Sequence, residues 1–229
     1  MGAMSGFIVP GATGMKSERC SVGRAVDLYL FDFDKTLYQY DFRRRLPEFS
    51  RITGVSQYRL ASSWWAAGYE RRAESGEWPT PSAYLEEFSR VTGSRLLTLD
   101  EWADARLTAM TRIDGSVAAL RRATSIGTVS LLSNNPAPFA AALPRLAPDV
   151  CELVGDNRLI SCELGVRKPS ELAYSRALAR YSARPEDTFF VDDSPENVRG
   201  ALALGIHAHL FTTAAALDVA ITTFTERTR

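Results

Sequence analysis

Seven polar residues stand at the ends of apolar runs or just before a helix, and their types together could carry phosphoryl chemistry. Asp32 and Asp34 follow the run Asp27-Leu28-Tyr29-Leu30-Phe31, Ser133 and Asn134 follow Thr128-Val129-Ser130-Leu131-Leu132, and Asp192 and Asp193 follow Thr188-Phe189-Phe190-Val191. Lys168 adds an ammonium within Gly165-Val166-Arg167-Lys168-Pro169. If the runs are neighbouring strands, four carboxylates, a hydroxyl, an amide and an ammonium share one crevice. Carboxylates crowded in this way repel one another and call for a cation. An all-oxygen donor set favours a hard divalent ion, and Mg²⁺ binds through a few carboxylates plus a substrate phosphate. Ser133 and nearby backbone N–H groups could then hydrogen-bond phosphate oxygens.

Each motif also has a plainer reading. Aspartates are common in turns after strands, Ser133-Asn134-Asn135-Pro136 would serve as a helix cap, and acids such as Asp192 and Asp193 suit a helix start. Lys168 alone could be a surface lysine. It is their joint occurrence at strand ends that favours the chemical reading.

The elements that must position these residues follow from periodicity. The three apolar runs above read as buried strands, and Ile206-His207-Ala208-His209-Leu210-Phe211 as a weaker fourth. Between them the period is helical. Val198, Ala201, Leu202 and Gly205 share one face behind the N-cap signal Ser194-Pro195-Glu196, Tyr174, Leu178 and Tyr181 line a helix that begins near Pro169, and Val117 and Leu120 belong to another. Alternating strand and helix predicts an α/β fold with a parallel sheet covered on both faces, and such sheets bind ligands beyond the carboxyl ends of their strands. Residues 40–110 break the rhythm. They hold every tryptophan (Trp64, Trp65, Trp78, Trp102), carry no convincing strand, and are split at Gly76, Pro79 and Pro81, so an all-helical insert is expected whose aromatics form its own core. The stretch from Ala214 to Ala220 reads as a last helix.

Composition narrows the functional classes. The 229 residues carry 27 Lys plus Arg against 27 Asp plus Glu, with 45% apolar and 24% charged residues, the balance of a globular protein. Zero net charge and no basic–aromatic stripe argue against a nucleic-acid partner. No apolar run approaches the ~20 residues of a spanning helix, which argues against a membrane protein. Three cysteines (Cys20, Cys151, Cys162) without close spacing, beside two histidines, make neither a disulfide framework nor a zinc site. Reduced thiols in a cytoplasmic protein are expected, and residues 1–24 read as a flexible extension.

The motifs and their order resemble those of the haloacid dehalogenase superfamily. Asp32-Phe33-Asp34-Lys35-Thr36-Leu37 is similar to its first motif, DxDxT; Leu131-Leu132-Ser133-Asn134 to its second; Lys168 before Pro169 to its third; and Val191-Asp192-Asp193-Ser194 to its fourth. The resemblance spans roughly residues 26–212. It implies a doubly wound, Rossmann-like core (residues 25–39 and 111–229) and a helical cap (40–110). It also implies roles: Asp32 as nucleophile, Asp34 as general acid and then base, and Ser133, Asn134 and Lys168 as the phosphate-binding set. Mg²⁺ would be held by Asp32, the Asp34 backbone carbonyl and Asp193, with Asp192 a ligand or an outer partner. Two positions depart from the family's pattern: Lys35 stands where Gly is more frequent, and Asn197 where many relatives carry another acid.

The activity this implies is Mg²⁺-dependent hydrolysis of a small phosphomonoester, of the sugar phosphate or nucleoside monophosphate class, through an aspartyl-phosphate. Alternatives are a phosphomutase of the β-phosphoglucomutase type, which would return the phosphoryl group to a substrate hydroxyl, and a non-catalytic binding module. A dehalogenase is disfavoured, because carbon–halogen displacement needs neither the acid at Asp34 nor the metal. Arg43-Arg44-Arg45 reads as a solvated helix face, although facing the site it would suit a substrate with a second anionic group. His207 and His209 are expected to be structural.

Overall fold

In the computed structural model, which describes residues 1–2 and 27–228, short apolar strands alternate with helices to build a five-stranded, wholly parallel sheet. The chain enters through β1 (Leu28–Phe31), all four of whose residues are buried, and turns through β2 (Tyr38–Tyr40) into a helical segment. That segment comprises α1 (Phe42–Thr53), α2 (Gln57–Leu60) with a π-helical continuation (Ala61–Ala66), α3 (Tyr69–Glu74), α4 (Pro81–Thr92) and α5 (Leu99–Leu107). β3 (Met110–Arg112) then pairs antiparallel with β2. The remainder alternates: α6 (Asp114–Ala123), β4 (Thr128–Ser133), α7 (Ala137–Leu146), α8 (Pro148–Val154), β5 (Arg158–Ile160), α9 (Ser161–Leu164), α10 (Glu171–Tyr181), β6 (Thr188–Asp192), α11 (Pro195–Ala203), β7 (His207–Leu210) and α12 (Ala214–Thr228).

The sheet order is β5-β4-β1-β6-β7, so β1 lies in the middle. Phe31 stands opposite Leu131 on one side and Val191 on the other. This register brings the carboxyl ends of β1, β4 and β6 to one edge, where the Asp32 N–H still donates to the Val191 carbonyl at 2.9 Å. Alternate residues of β1 serve opposite faces. Tyr29 and Phe31 join Val117, Leu120, Leu217 and Phe224, from α6 and α12. Leu28 and Leu30 join Tyr174, Ala177 and Ala201, from α10 and α11. Burial on both faces is why these strands carry no polar alternation, and each such side chain contributes about 1.5–3 kcal/mol.

The helical segment does not have a core apart. Phe49, Trp64, Tyr84, Phe88 and Trp102 belong to the same cluster as Tyr29 and Phe31, and α5 packs along α7. Its helices begin at caps the sequence supplies: Thr80 before Pro81, and Thr98 with Glu101 in a reciprocal capping box. Gly54 and Gly93 close α1 and α4 in left-handed conformation.

The four strands expected from apolar runs are present, and so are three others: β2, β3 and β5. At three residues each they are too short for a period of two to register. The β2–β3 ribbon carries the chain into and out of the helical segment, so that segment is helical between its two strand-bearing ends. Residues 3–26, with Cys20 and nearly all of the expected extension, lie outside the described residues. No helix of the described residues is long and apolar enough to cross a membrane.

One close approach fixes the loop that carries Lys168. A Cβ at Gly200 would lie 2.9 Å from the Pro169 carbonyl oxygen and 3.1 Å from the Tyr174 ring. Gly200→Ala is therefore expected to lower stability by about 1–3 kcal/mol, read as a reduced urea midpoint. An unchanged midpoint would mean that α11 can shift without loss.

Candidate active site

Lys168 occupies the centre of the strand-end edge. Its ammonium is 1% exposed and donates to Asp32 Oδ1 at 2.8 Å, Asp192 Oδ2 at 2.6 Å and the Leu132 carbonyl at 2.5 Å. The three acceptors come from the ends of β1, β6 and β4. The lysine's own loop is pinned by Asn134, whose Oδ1 accepts from the Lys168 N–H and whose Nδ2 donates to the Lys168 carbonyl, both at 2.9 Å. Ser133 Oγ donates to Asp32 Oδ1 at 3.1 Å. Asp32 Oδ1 thus takes two donors, while Oδ2 accepts from none of the described residues.

Asp192 is fully buried and saturated. Besides Lys168 it accepts from the Ser194 N–H at 2.8 Å and from Asn197 Nδ2 at 3.0 Å on each oxygen. An acid at position 197 would face this carboxylate with charge, whereas the amide satisfies it. Asp193 is half-buried, and its nearest cation is Lys35 Nζ at 4.0 Å. Lys35 has φ 59°, a left-handed backbone that a glycine adopts without penalty. It closes the turn in which the Leu37 and Tyr38 N–H groups return to the Phe33 carbonyl.

Carboxylate oxygens of Asp32, Asp192 and Asp193 lie within 4.8 Å of one another. Burial pushes the Asp32 carboxyl up to about 8; Lys168 pulls against this, and Asp192 and Asp34 push with it. Burial also raises Asp193, with Asp192 adding to the effect. Burial would lower the Lys168 ammonium, but Asp32 and Asp192 outweigh it and hold it above its ordinary range. One lysine is thus too little positive charge for these acids. The cluster of hard oxygen donors fits a divalent cation, which would restore ionisation of Asp32.

Asp34 turns the other way. Arg106 Nη2, from α5, donates to its two oxygens at 2.6 and 2.7 Å, and Asn135 Nδ2 reaches Oδ2 at 3.2 Å and Ser133 Oγ at 3.1 Å. The Arg106 guanidinium lies over the Tyr40 and Phe139 rings at 4.5 and 4.7 Å. A second link from the helical segment is Glu74 Oε2 to Arg167 Nε, 2.8 Å, beside Lys168 in sequence. Next to it, Gly76 (φ +86°) sits so close to the Cys162 carbonyl that a Cβ would come within 2.7 Å.

The structure therefore gathers Asp32, Asp34, Ser133, Asn134, Lys168, Asp192 and Asp193 at one edge, with one difference from expectation. The Asn134 amide, expected on a phosphate, spends both its ends on the Lys168 backbone. The Asp34 carboxylate stands outside the acidic trio, in keeping with the expectation that only its backbone carbonyl would face a metal. Two residues were missed. Asn135 follows the second motif directly, so the run Asn134-Asn135 was its signal; Arg106 lies 72 residues from its partner and had none. The arginine run also departs from expectation. Arg43 and Arg44 are exposed, but Arg45 is buried.

Comparison with known proteins establishes the family and the fold. The sequence model of haloacid dehalogenase-like hydrolases matches residues 26–205, and the chain belongs to that family. A predicted HAD-like family hydrolase from Porphyromonas gingivalis is 25% identical, with a TM-score of 0.72 over 87% of this chain and 97% of that one. A HAD family enzyme from Bacteroides thetaiotaomicron, solved as a magnesium complex, is 20% identical, with a TM-score of 0.69 over 82% and 94%. An L-2-haloacid dehalogenase is 17% identical, with a TM-score of 0.57 over 82% and 85%.

Glu74 gives the site edge a pH dependence. Burial pushes its carboxyl up to about 7, against the pull of Arg167. The fold thus favours the neutral acid, an advantage complete below the ordinary glutamate range and lost as pH rises from about 4.5 to about 7. Glu74→Gln is expected to exceed the unmodified protein in stability by about 1–3 kcal/mol at pH 8 and to match it at pH 4. A less stable variant at pH 8 would show that the Arg167 pair outweighs burial.

Proposed function

We propose that this chain is a Mg²⁺-dependent phosphatase acting on a small phosphomonoester through an aspartyl-phosphate on Asp32. The observation that carries the reading is the division of labour on that carboxylate. Oδ1 is fixed by Lys168 and Ser133, while Oδ2 accepts from none of the described residues, and a carboxylate oxygen of Asp32 lies within 4.8 Å of one of Asp193. A carboxylate held by one oxygen and free at the other is oriented for in-line attack.

In this reading Asp32 Oδ2 forms the bond to phosphorus as the bond to the leaving oxygen breaks, and Asp34, entering the step as the protonated acid, gives that oxygen its proton. Asp34 then takes a proton from the water that attacks phosphorus, and the bond to Asp32 breaks with release of phosphate. Lys168 keeps Asp32 in line and lends its charge to the transferred group. Arg106 and Asn135 hold the Asp34 carboxylate, Ser133 contributes a hydroxyl at the phosphoryl site, and Asn134 fixes the lysine loop. Asp32, Asp193, the Asp34 carbonyl and Asp192, directly or at one remove, would hold Mg²⁺, which neutralises phosphate charge and templates the displacement. Residues 40–110 act as a cap that excludes bulk water and large substrates. The Bacteroides enzyme has also been solved with magnesium and inorganic phosphate, which supports this reading over halide chemistry. Cys151 and Cys162 are free thiols, consistent with a reducing compartment such as the cytoplasm.

The test is phosphate release from a panel of phosphomonoesters with and without Mg²⁺. Asp32→Asn is expected to reduce kcat at least about 10³-fold. Asp34→Asn should cost alkyl phosphates about 10²-fold more than nitrophenyl phosphate, whose leaving group needs no proton. Metal-independent halide release from 2-haloacids, or near-normal turnover by Asp32→Asn, would contradict the assignment.

A further inference from the structure

Two buried arginines of the helical segment have donors that the protein leaves unused. Arg45, on α1, is 1% exposed and has no ion-pair partner among the described residues. Its Nη1 donates to Tyr40 Oη at 3.1 Å, while Nε and Nη2 are buried without acceptors. Its guanidinium rests on the Phe49 and Trp102 rings, at 4.8 and 4.5 Å. A guanidinium buried without an ion-pair partner is costly, and stacking on aromatic rings offsets only part of that cost. Arg106 is 3% exposed, and its Nε is likewise buried without an acceptor. Tyr40 joins the two, since Arg106 lies against its ring and Arg45 binds its hydroxyl. The carboxylate of Glu70 accepts from Trp64 Nε1 at 2.5 Å and Tyr84 Oη at 2.7 Å and from neither arginine, so it supports Arg106 through charge alone and leaves these donors unused.

The position of this pair fixes what it would meet. Arg106 touches both oxygens of Asp34, the group assigned to protonate the leaving oxygen. A leaving group that reaches Asp34 therefore comes against Arg106, with Tyr40 and then Arg45 behind it. We infer that the leaving group carries a second anion, a carboxylate or a second phosphate, and that Arg106 and Arg45 read it. This rests on the phosphatase reading and narrows its substrate class from phosphomonoesters in general to those of acidic alcohols. A planar guanidinium with free edge donors suits such groups better than sugar hydroxyls.

The experiment compares kcat/KM for matched esters: phosphoglycolate against ethyl phosphate, and propane-1,3-diyl bisphosphate against propyl phosphate. The unmodified protein is expected to favour at least one anionic member by about tenfold or more, and the pair that shows it separates carboxylate from phosphate. Arg45→Met should erase most of that preference and Arg45→Lys restore part of it. Should Arg45→Met fail to fold, inhibition of the unmodified protein still decides: glycolate should compete with nitrophenyl phosphate about tenfold more strongly than ethylene glycol does. Equal kcat/KM within both pairs, alongside Asp32-dependent hydrolysis of nitrophenyl phosphate, would overturn this inference and leave the phosphatase reading standing. So would a preference that survives in Arg45→Met. No Asp32-dependent phosphate release from any ester would remove both.

Discussion

The ammonium of Lys168, buried among Asp32, Asp192 and the Leu132 carbonyl, is the constraint around which the rest of the site is arranged. A lone buried carboxylate would be protonated, and a lone buried lysine would lose its proton. Each favours the charged form of the other, but only if three strand ends and one loop come to the same point. The parallel order β4-β1-β6 meets the first condition, since adjacent strands of one register end together. Asn134 meets the second by gripping the lysine's backbone from the end of β4. Breaking a buried pair of this kind typically costs about 3–5 kcal/mol, so the same contact serves stability and chemistry.

Charge balance then divides the site into two halves. On one side the acidic trio exceeds what Lys168 can neutralise, and its oxygen donors suit a divalent cation. On the other, Asp34 is met by Arg106, a cation from a different layer of the molecule. In the proposed reaction, chemistry at phosphorus belongs to the sheet edge, whereas recognition of the leaving group falls to the helical segment. The segment's aromatic core runs unbroken into the sheet's face, so the side chains it presents to Asp34 are held by packing on both layers.

Much of this could be read in the sequence, for a physical reason. Strands buried on both faces appear as apolar runs, and a polar residue directly after such a run has to lie at the strand's end; Asp32, Ser133 and Asp192 were visible in this way. Lys168 could be placed because a helical period begins just after Pro169. Arg106 and Arg45 could not be placed. Successive helical residues turn by about 100°, so three consecutive arginines on α1 can all lie on a solvated face or turn one of their number inward, and nothing local says which. Arg106 sits on a helix without marked amphipathicity, and its partner lies across the fold. Asn134 was visible as a site residue, but an amide's partners depend on what the fold brings near it, and here they are backbone groups of a distant loop. The three-residue strands β2, β3 and β5 left no periodic trace at all.

The central claim is that Asp32 takes the phosphoryl group. Protein turning over a phosphomonoester with Mg²⁺, quenched in acid and digested, tests it directly by mass spectrometry of the peptide that spans β1. The account predicts a phosphoryl adduct on Asp32 that disappears when substrate is exhausted and is absent from Asp32→Asn. An active protein that never carries the adduct, or one that carries it on another residue, would contradict it.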